Sequence, residues 1–130
     1  MLEVDVVRIS VIVPIYNVKL YIERCVRSLM EQTLENIEFI FVNDCTPDDS
    51  MDILHYVLEE YPKRREQIKI IEHETNRGIS AVRNTGLKNA TGQYIIYCDS
   101  DDWVEKNMYE KLLVKALETS ADIVGCDFFD

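Results

Sequence analysis

Short unbroken runs of branched and aromatic residues alternate along this chain with stretches in which apolar residues recur every three or four positions. The runs at residues 9–13, 37–42, 68–71, 94–98 and 123–128 are each four to six residues long, which predicts buried β-strands. Ile22, Cys25, Val26, Leu29 and Met30 follow the i, i+3, i+4, i+7, i+8 spacing of an amphipathic helix, and Tyr109, Leu112, Leu113, Ala116 and Leu117 repeat it. Ile53, Leu54, Val57, Leu58 and Tyr61 mark another helix, with Asp48, Asp49 and Ser50 as start signals and Pro62 as a stop. A fourth helix is predicted over residues 79–90, with Gly92 supplying a left-handed cap. Strands alternating with helices in this way predict an α/β fold around a mainly parallel sheet, in one domain spanning residues 1–130.

Composition narrows the partners. At 130 residues and 47% apolar the chain can bury a real core. Its formal charge of −10 argues against nucleic acid or an anionic membrane surface as an electrostatic partner. Cys25, Cys45, Cys98 and Cys126 form no CxxC pair, so neither a zinc site nor a redox motif is expected. The first residues do not resemble a signal peptide and no apolar run reaches transmembrane length, which predicts a soluble, cytoplasmic protein.

Candidate chemistry sits where the predicted strands end, the position at which open α/β sheets bind ligands. Asp99, Asp101 and Asp102 fall within four positions directly after the fourth strand, and no Lys or Arg occurs between Gln93 and Glu105. Two carboxylates about 5 Å apart repel by roughly 3 kcal/mol at an effective dielectric near 20, so a divalent cation is the natural compensation. Taken alone, the cluster fits better as the cap and first turn of the helix that follows. Pro14 lacks the N–H a central strand needs, Tyr16 offers a ring to stack on a base, and Asn17 suits a helix cap. Asp44 ends the second strand, where a carboxylate can accept hydrogen bonds from a base or sugar. Gly78 suits a tight turn and Gly86 close helix packing, while Arg83 lies near the core face and needs an anion, either a protein carboxylate or a ligand phosphate. His55 and His73 read as ordinary surface or packing residues, and Trp103 as packing more than as lining for a sugar.

Four blocks in order resemble family 2 glycosyltransferases, whose nucleotide-sugar-binding part is a Rossmann-like, three-layer αβα (GT-A) fold. They are residues 9–17 (ISVIVPIYN), 42–50 (VNDCTPDDS), 76–86 (NRGISAVRNTG) and 99–102 (DSDD). The resemblance implies that Pro14, Tyr16 and Asn17 line a nucleotide pocket, that Asp44 accepts hydrogen bonds from the base, and that Arg83 lies near the diphosphate. Asp99-x-Asp101 is similar to the family's DxD motif. It implies Mn²⁺ or Mg²⁺ held by Asp101 and Asp102, with Asp99 facing the ribose or the metal's waters. It further implies a nucleotide-diphospho-sugar donor, a UDP-sugar above all, and inverting transfer to a saccharide or lipid-linked acceptor in polysaccharide biosynthesis.

The chain departs from the family at Cys45, often glycine, and in length, since the later half with its general base is expected to be missing. Asp127 and Asp130 come too early to be that base. Self-association is expected through the apolar end at Val124, Phe128 and Phe129. A nucleotidyltransferase would need a glycine-rich basic loop after the first strand and a dinucleotide-binding domain a GxGxxG there, and neither is present. A donor-binding fragment or interaction module without catalysis is the remaining alternative.

Overall fold

The computed structural model describes residues 7–119, with elements β1 (Ile9–Ile15), α1 (Ile22–Met30), β2 (Ile37–Asn43), α2 (Ser50–Leu58), β3 (Ile68–Glu72), α3 (Ile79–Asn89), β4 (Tyr94–Tyr97) and α4 (Met108–Thr119). The strand predicted at 123–128, and with it the apolar end predicted to self-associate, lies outside the described residues. The strands form one parallel sheet in the order β3-β2-β1-β4. β1, β2 and β3 step one way across the sheet, and β4 returns to the far side of β1. With right-handed crossovers, that reversal puts α3 on the opposite face from α1 and α2. The core divides accordingly. Val11, Val13, Phe39 and Phe41 pack with α1, α2 and α4, whereas Ile12, Ile40 and Val42 pack beneath Val82 of α3. The result is the mainly parallel α/β sheet that the pattern predicts, in the three-layer αβα arrangement that the resemblance implies.

Close approach of α3 depends on Gly86, where an added Cβ would lie under 3.0 Å from three side-chain atoms of Ile12. Gly92 has a different role from the cap predicted for it. Its φ is not positive, α3 ends instead on an extended Ala90, and a Cβ at Gly92 would strike the backbone of Arg8 and Ser10. Pro14 also behaves differently from expectation, because β1 runs through it to Ile15. Ile12 O accepts the Cys98 N–H on the β4 side and Ile15 O accepts the Asp44 N–H on the β2 side. Backbone groups alternate along a strand, so the Pro14 nitrogen faces the β4 side, beyond the last pair, Ile12 with Tyr97. No donor is wanted there, and proline is tolerated.

At the amino end of the sheet, Glu38 of β2 is 1% exposed and accepts hydrogen bonds from Ser10 Oγ, Thr91 N and Thr91 Oγ1, with Lys69 Nζ at 3.1 Å. Burial pushes its carboxyl up, but these donors outweigh burial and pull it down to about 2. At the same amino end, Arg64 ties the approach to β3 to the segment between α1 and β2 by donating to the carbonyls of Met30, Gln32 and Leu34. Cys45 sits at φ +59, so the left-handed conformation that suits glycine is occupied here by cysteine.

Two stability predictions follow from these contacts. The folded pKa of Glu38 lies below its ordinary 4.5, so its contribution is full above that value and is lost as pH falls toward 2. Glu38→Gln is expected to cost on the order of 3 kcal/mol at pH 7, and the gap from wild type should close between pH 4.5 and 2 in urea titrations. Cys45→Gly relieves the left-handed strain and should raise stability by about 1 kcal/mol, read as a higher urea midpoint at unchanged slope.

Candidate functional site

In the order β3-β2-β1-β4 the chain reverses direction across the sheet between β1 and β4, which opens a crevice at their carboxyl ends. The loop after β1 is stapled to the loop after β2. Asn17 N donates to Thr46 Oγ1 at 2.8 Å, Val18 N to Ser50 Oγ at 3.2 Å and Lys19 N to Asp48 Oδ2 at 3.2 Å. Asp48 Oδ1 in turn accepts from Thr46 Oγ1, Ser50 N and Ser50 Oγ. Burial opposes ionisation of Asp48, yet these donors hold it down to about 2. Asp48 therefore joins two loops as well as opening α2. Asn17 does not cap α1, whose N-cap is Tyr21. It turns the chain at φ +53, a left-handed conformation that asparagine adopts more readily than most residues. Tyr16, 41% exposed, and the half-buried Pro14 border the crevice from this side.

Asp44 follows β2 and is only 4% exposed. Its Oδ1 accepts Arg77 N at 2.9 Å and meets His73 Nδ1 at 2.8 Å, and its Oδ2 accepts Gly78 N at 2.9 Å. Gly78 makes the tight turn predicted for it, at φ +90, and leads directly into α3. Burial raises the Asp44 carboxyl, and the His73, Arg77 and Gly78 donors more than reverse this, leaving it below the ordinary value. His73 is thus no ordinary surface or packing residue. Its ring is buried, and Nε2 lies 2.7 Å from Thr85 Oγ1 on α3. The sequence did carry a signal for it, since His73 stands one residue past β3, at the same level of the sheet as Asp44 past β2.

Asp99, Asp101 and Asp102 leave β4 into the crevice, and one ligand oxygen from each lies within 4.8 Å of the others. Helix capping does not account for them. α4 starts at Met108, and the acids occupy a turn closed by Asp102 N donating to Asp99 O at 3.0 Å. From below, the buried Cys25 and Cys98 point their thiols at Asp99 O, at 3.8 and 3.7 Å. Further along, Val104 N donates to Ser28 Oγ, and Gln32 joins Glu105 O to Tyr109 N, so the segment is clamped to α1 and to the residues just past its end. The exposed carboxylates are therefore presented by a fixed backbone. An all-oxygen, anionic and partly exposed donor set of this kind fits Mg²⁺ or Mn²⁺, with positions left over for ligand oxygens.

Arg83 is exposed, contrary to the buried position predicted from the helical pattern. Its guanidinium carbon stands 5.2 Å from the Tyr97 ring centroid, at the end of β4 just before the acids. Trp103 is half-buried, with the Arg24 guanidinium carbon 4.5 Å from its ring centroid. The fold thus brings Pro14, Tyr16 and Asn17 to one wall, Asp44 to the β2 side, and Asp99, Asp101 and Asp102 with Arg83 to the β4 side. No helix among the described residues is long and apolar enough to cross a membrane.

Comparison with known proteins agrees with this fold. Residues 10–130 match the glycosyl transferase family 2 profile. EpsJ, an uncharacterised glycosyltransferase of Bacillus subtilis, is 48% identical over 121 residues, covering 93% of this chain and 34% of EpsJ. The crystal structure of S. aureus TarS 1-349 in complex with UDP superposes with a TM-score of 0.77 at 32% identity, over 88% of this chain and 33% of that one. The mannosyltransferase PcManGT of Pyrobaculum calidifontis, in complex with GDP-Man and Mn²⁺, superposes at 0.76 and 26% identity, over 89% and 33%. This chain spans about a third of the length of these proteins. By its sequence blocks, its sheet order and these likenesses, the chain belongs to glycosyl transferase family 2 and carries the GT-A fold.

Proposed function

We propose that this chain binds a nucleotide-diphospho-sugar, a UDP-sugar above all, as the donor part of an inverting glycosyltransferase that acts in the cytoplasm on a saccharide or lipid-linked acceptor during polysaccharide assembly. The observation that carries the reading is the trio Asp99, Asp101 and Asp102 at the mouth of the switch-point crevice, with converging oxygens. The UDP bound by TarS and the GDP-Man and Mn²⁺ bound by PcManGT support it by likeness.

In this reading Asp101 and Asp102 hold Mn²⁺ or Mg²⁺, and Asp99 faces the ribose or a metal-bound water. When bound, the cation supplies Lewis-acid stabilisation of charge on the diphosphate leaving group. Tyr16 stacks on the base, and Pro14 and Asn17 close the pocket around it. Asp44 has one acceptor position, on Oδ2, beyond the three that protein donors occupy, and it accepts a base N–H there. Arg83, supported on Tyr97, pairs with a diphosphate oxygen at the rim. The base that deprotonates the acceptor hydroxyl is supplied from outside the described residues.

Calorimetric titration with UDP in Mn²⁺, repeated in EDTA, tests the reading. Binding is expected in Mn²⁺ and at least tenfold weaker in EDTA or in Asp101→Ala, the worth of about 1.4 kcal/mol or more of charge stabilisation. A folded wild-type chain that binds no UDP in Mn²⁺ would refute it.

A further inference from the structure

The buried line Asp44–His73–Thr85 runs across three elements: the end of β2, the end of β3 and the middle of α3. His73 lies in none of the sequence blocks that suggest donor binding, yet both of its ring nitrogens are engaged by side chains, at 2.8 and 2.7 Å. The ionised Asp44 accepts and does not donate, so the proton facing it sits on Nδ1. The Thr85 hydroxyl rotates to serve Nε2 as donor or acceptor, which leaves the ring satisfied in either charge state.

An aspartate carboxylate turns about a broad, soft torsion. With the Arg77 and Gly78 amides alone, both from one turn, Asp44 would be held from one direction only. The imidazole supplies a third donor from β3, and Thr85 fixes the imidazole to α3. Rotation of the carboxylate is then blocked, and the remaining acceptor position on Oδ2 points in a set direction. The same contacts tie the turn at Asn76–Gly78 and the start of α3 to the strand ends.

We infer that His73 is a positioning residue for nucleotide recognition, fixing Asp44 so that its remaining carboxylate acceptor meets the base of a bound nucleoside diphosphate. This rests on the donor-binding reading above. Preorganisation of this kind acts on the base and not on the diphosphate, which is bound at the β4 side. That difference separates positioning from a general structural role.

The test compares UDP with inorganic pyrophosphate, each titrated in Mn²⁺ into wild type, His73→Phe, His73→Asn and Thr85→Val. His73→Phe keeps the ring volume without the nitrogens and should weaken UDP roughly tenfold, the scale of one fixed charge-assisted hydrogen bond, while pyrophosphate binds as in wild type. His73→Asn places an amide N–H near the former Nδ1 and should restore UDP to within about threefold of wild type. Thr85→Val changes only a hydroxyl to a methyl and should give the same selective loss at about threefold, and it carries the test if His73→Phe does not fold. Equal UDP affinity in wild type, His73→Phe and Thr85→Val would overturn the inference and leave donor binding standing. Parallel loss of UDP and pyrophosphate would overturn it in favour of a purely structural role. Wild type that binds no UDP would overturn the donor reading itself and this inference with it.

Discussion

β1 is the constraint on which the rest of the molecule depends. It is paired along both edges and covered on both faces, and Val11, Ile12 and Val13 are wholly buried. A strand enclosed in this way forces every later element to be placed relative to it. Two strands are added on one side, the fourth on the other, and α3 moves to the opposite face because the crossover direction has reversed. The crevice is a consequence of that reversal. Where β1 outruns β4, past Ile12, the sheet opens, Pro14 becomes permissible, and the acidic loop departs from the other lip.

The acids of this chain are handled in two opposite ways. Glu38 and Asp44 are almost fully buried, and each is surrounded by protein donors that keep it ionised against the cost of desolvation. Both act as ties between elements, Glu38 at the amino end of the sheet and Asp44 at the carboxyl end. Asp99 and Asp101 are exposed, and with Asp102 they converge on a small volume. The backbone that follows them is tied down by Ser28 of α1 and by Gln32 just past its end. Fixing the backbone while leaving like charges together is a poor arrangement for stability alone, and a good one for holding a cation.

Backbone conformations specialised for the site are concentrated in the loops at the carboxyl end. Asn17, Cys45 and Gly78 are the positive-φ residues among those described, and they lie in the loops after β1, β2 and β3. Left-handed residues turn the chain sharply as it leaves each strand, which keeps these loops short and their donors aimed inward. Asparagine and glycine accept that geometry at little cost, and cysteine less readily.

Among the described residues, the sequence by itself determined four strands, four helices and their alternation, and its blocks pointed to the family. Those are local matters: branched runs select extended backbone, three-and-four spacing selects helices, and the four sequence blocks are contiguous. It also placed the acids correctly at a strand end. Their freedom from a capping role became evident only with α4 beginning at Met108, because periodicity does not locate a helix start to within a turn. Pro14 within β1, Arg83 on Tyr97 and Gly92 against Arg8 and Ser10 each depend on which element lies alongside, information no local pattern contains. His73 is the clearest case. Asp44, His73 and Thr85 are 29 and 12 residues apart, and only the parallel registration of β2 with β3, with α3 packed across them, makes them one hydrogen-bonded line.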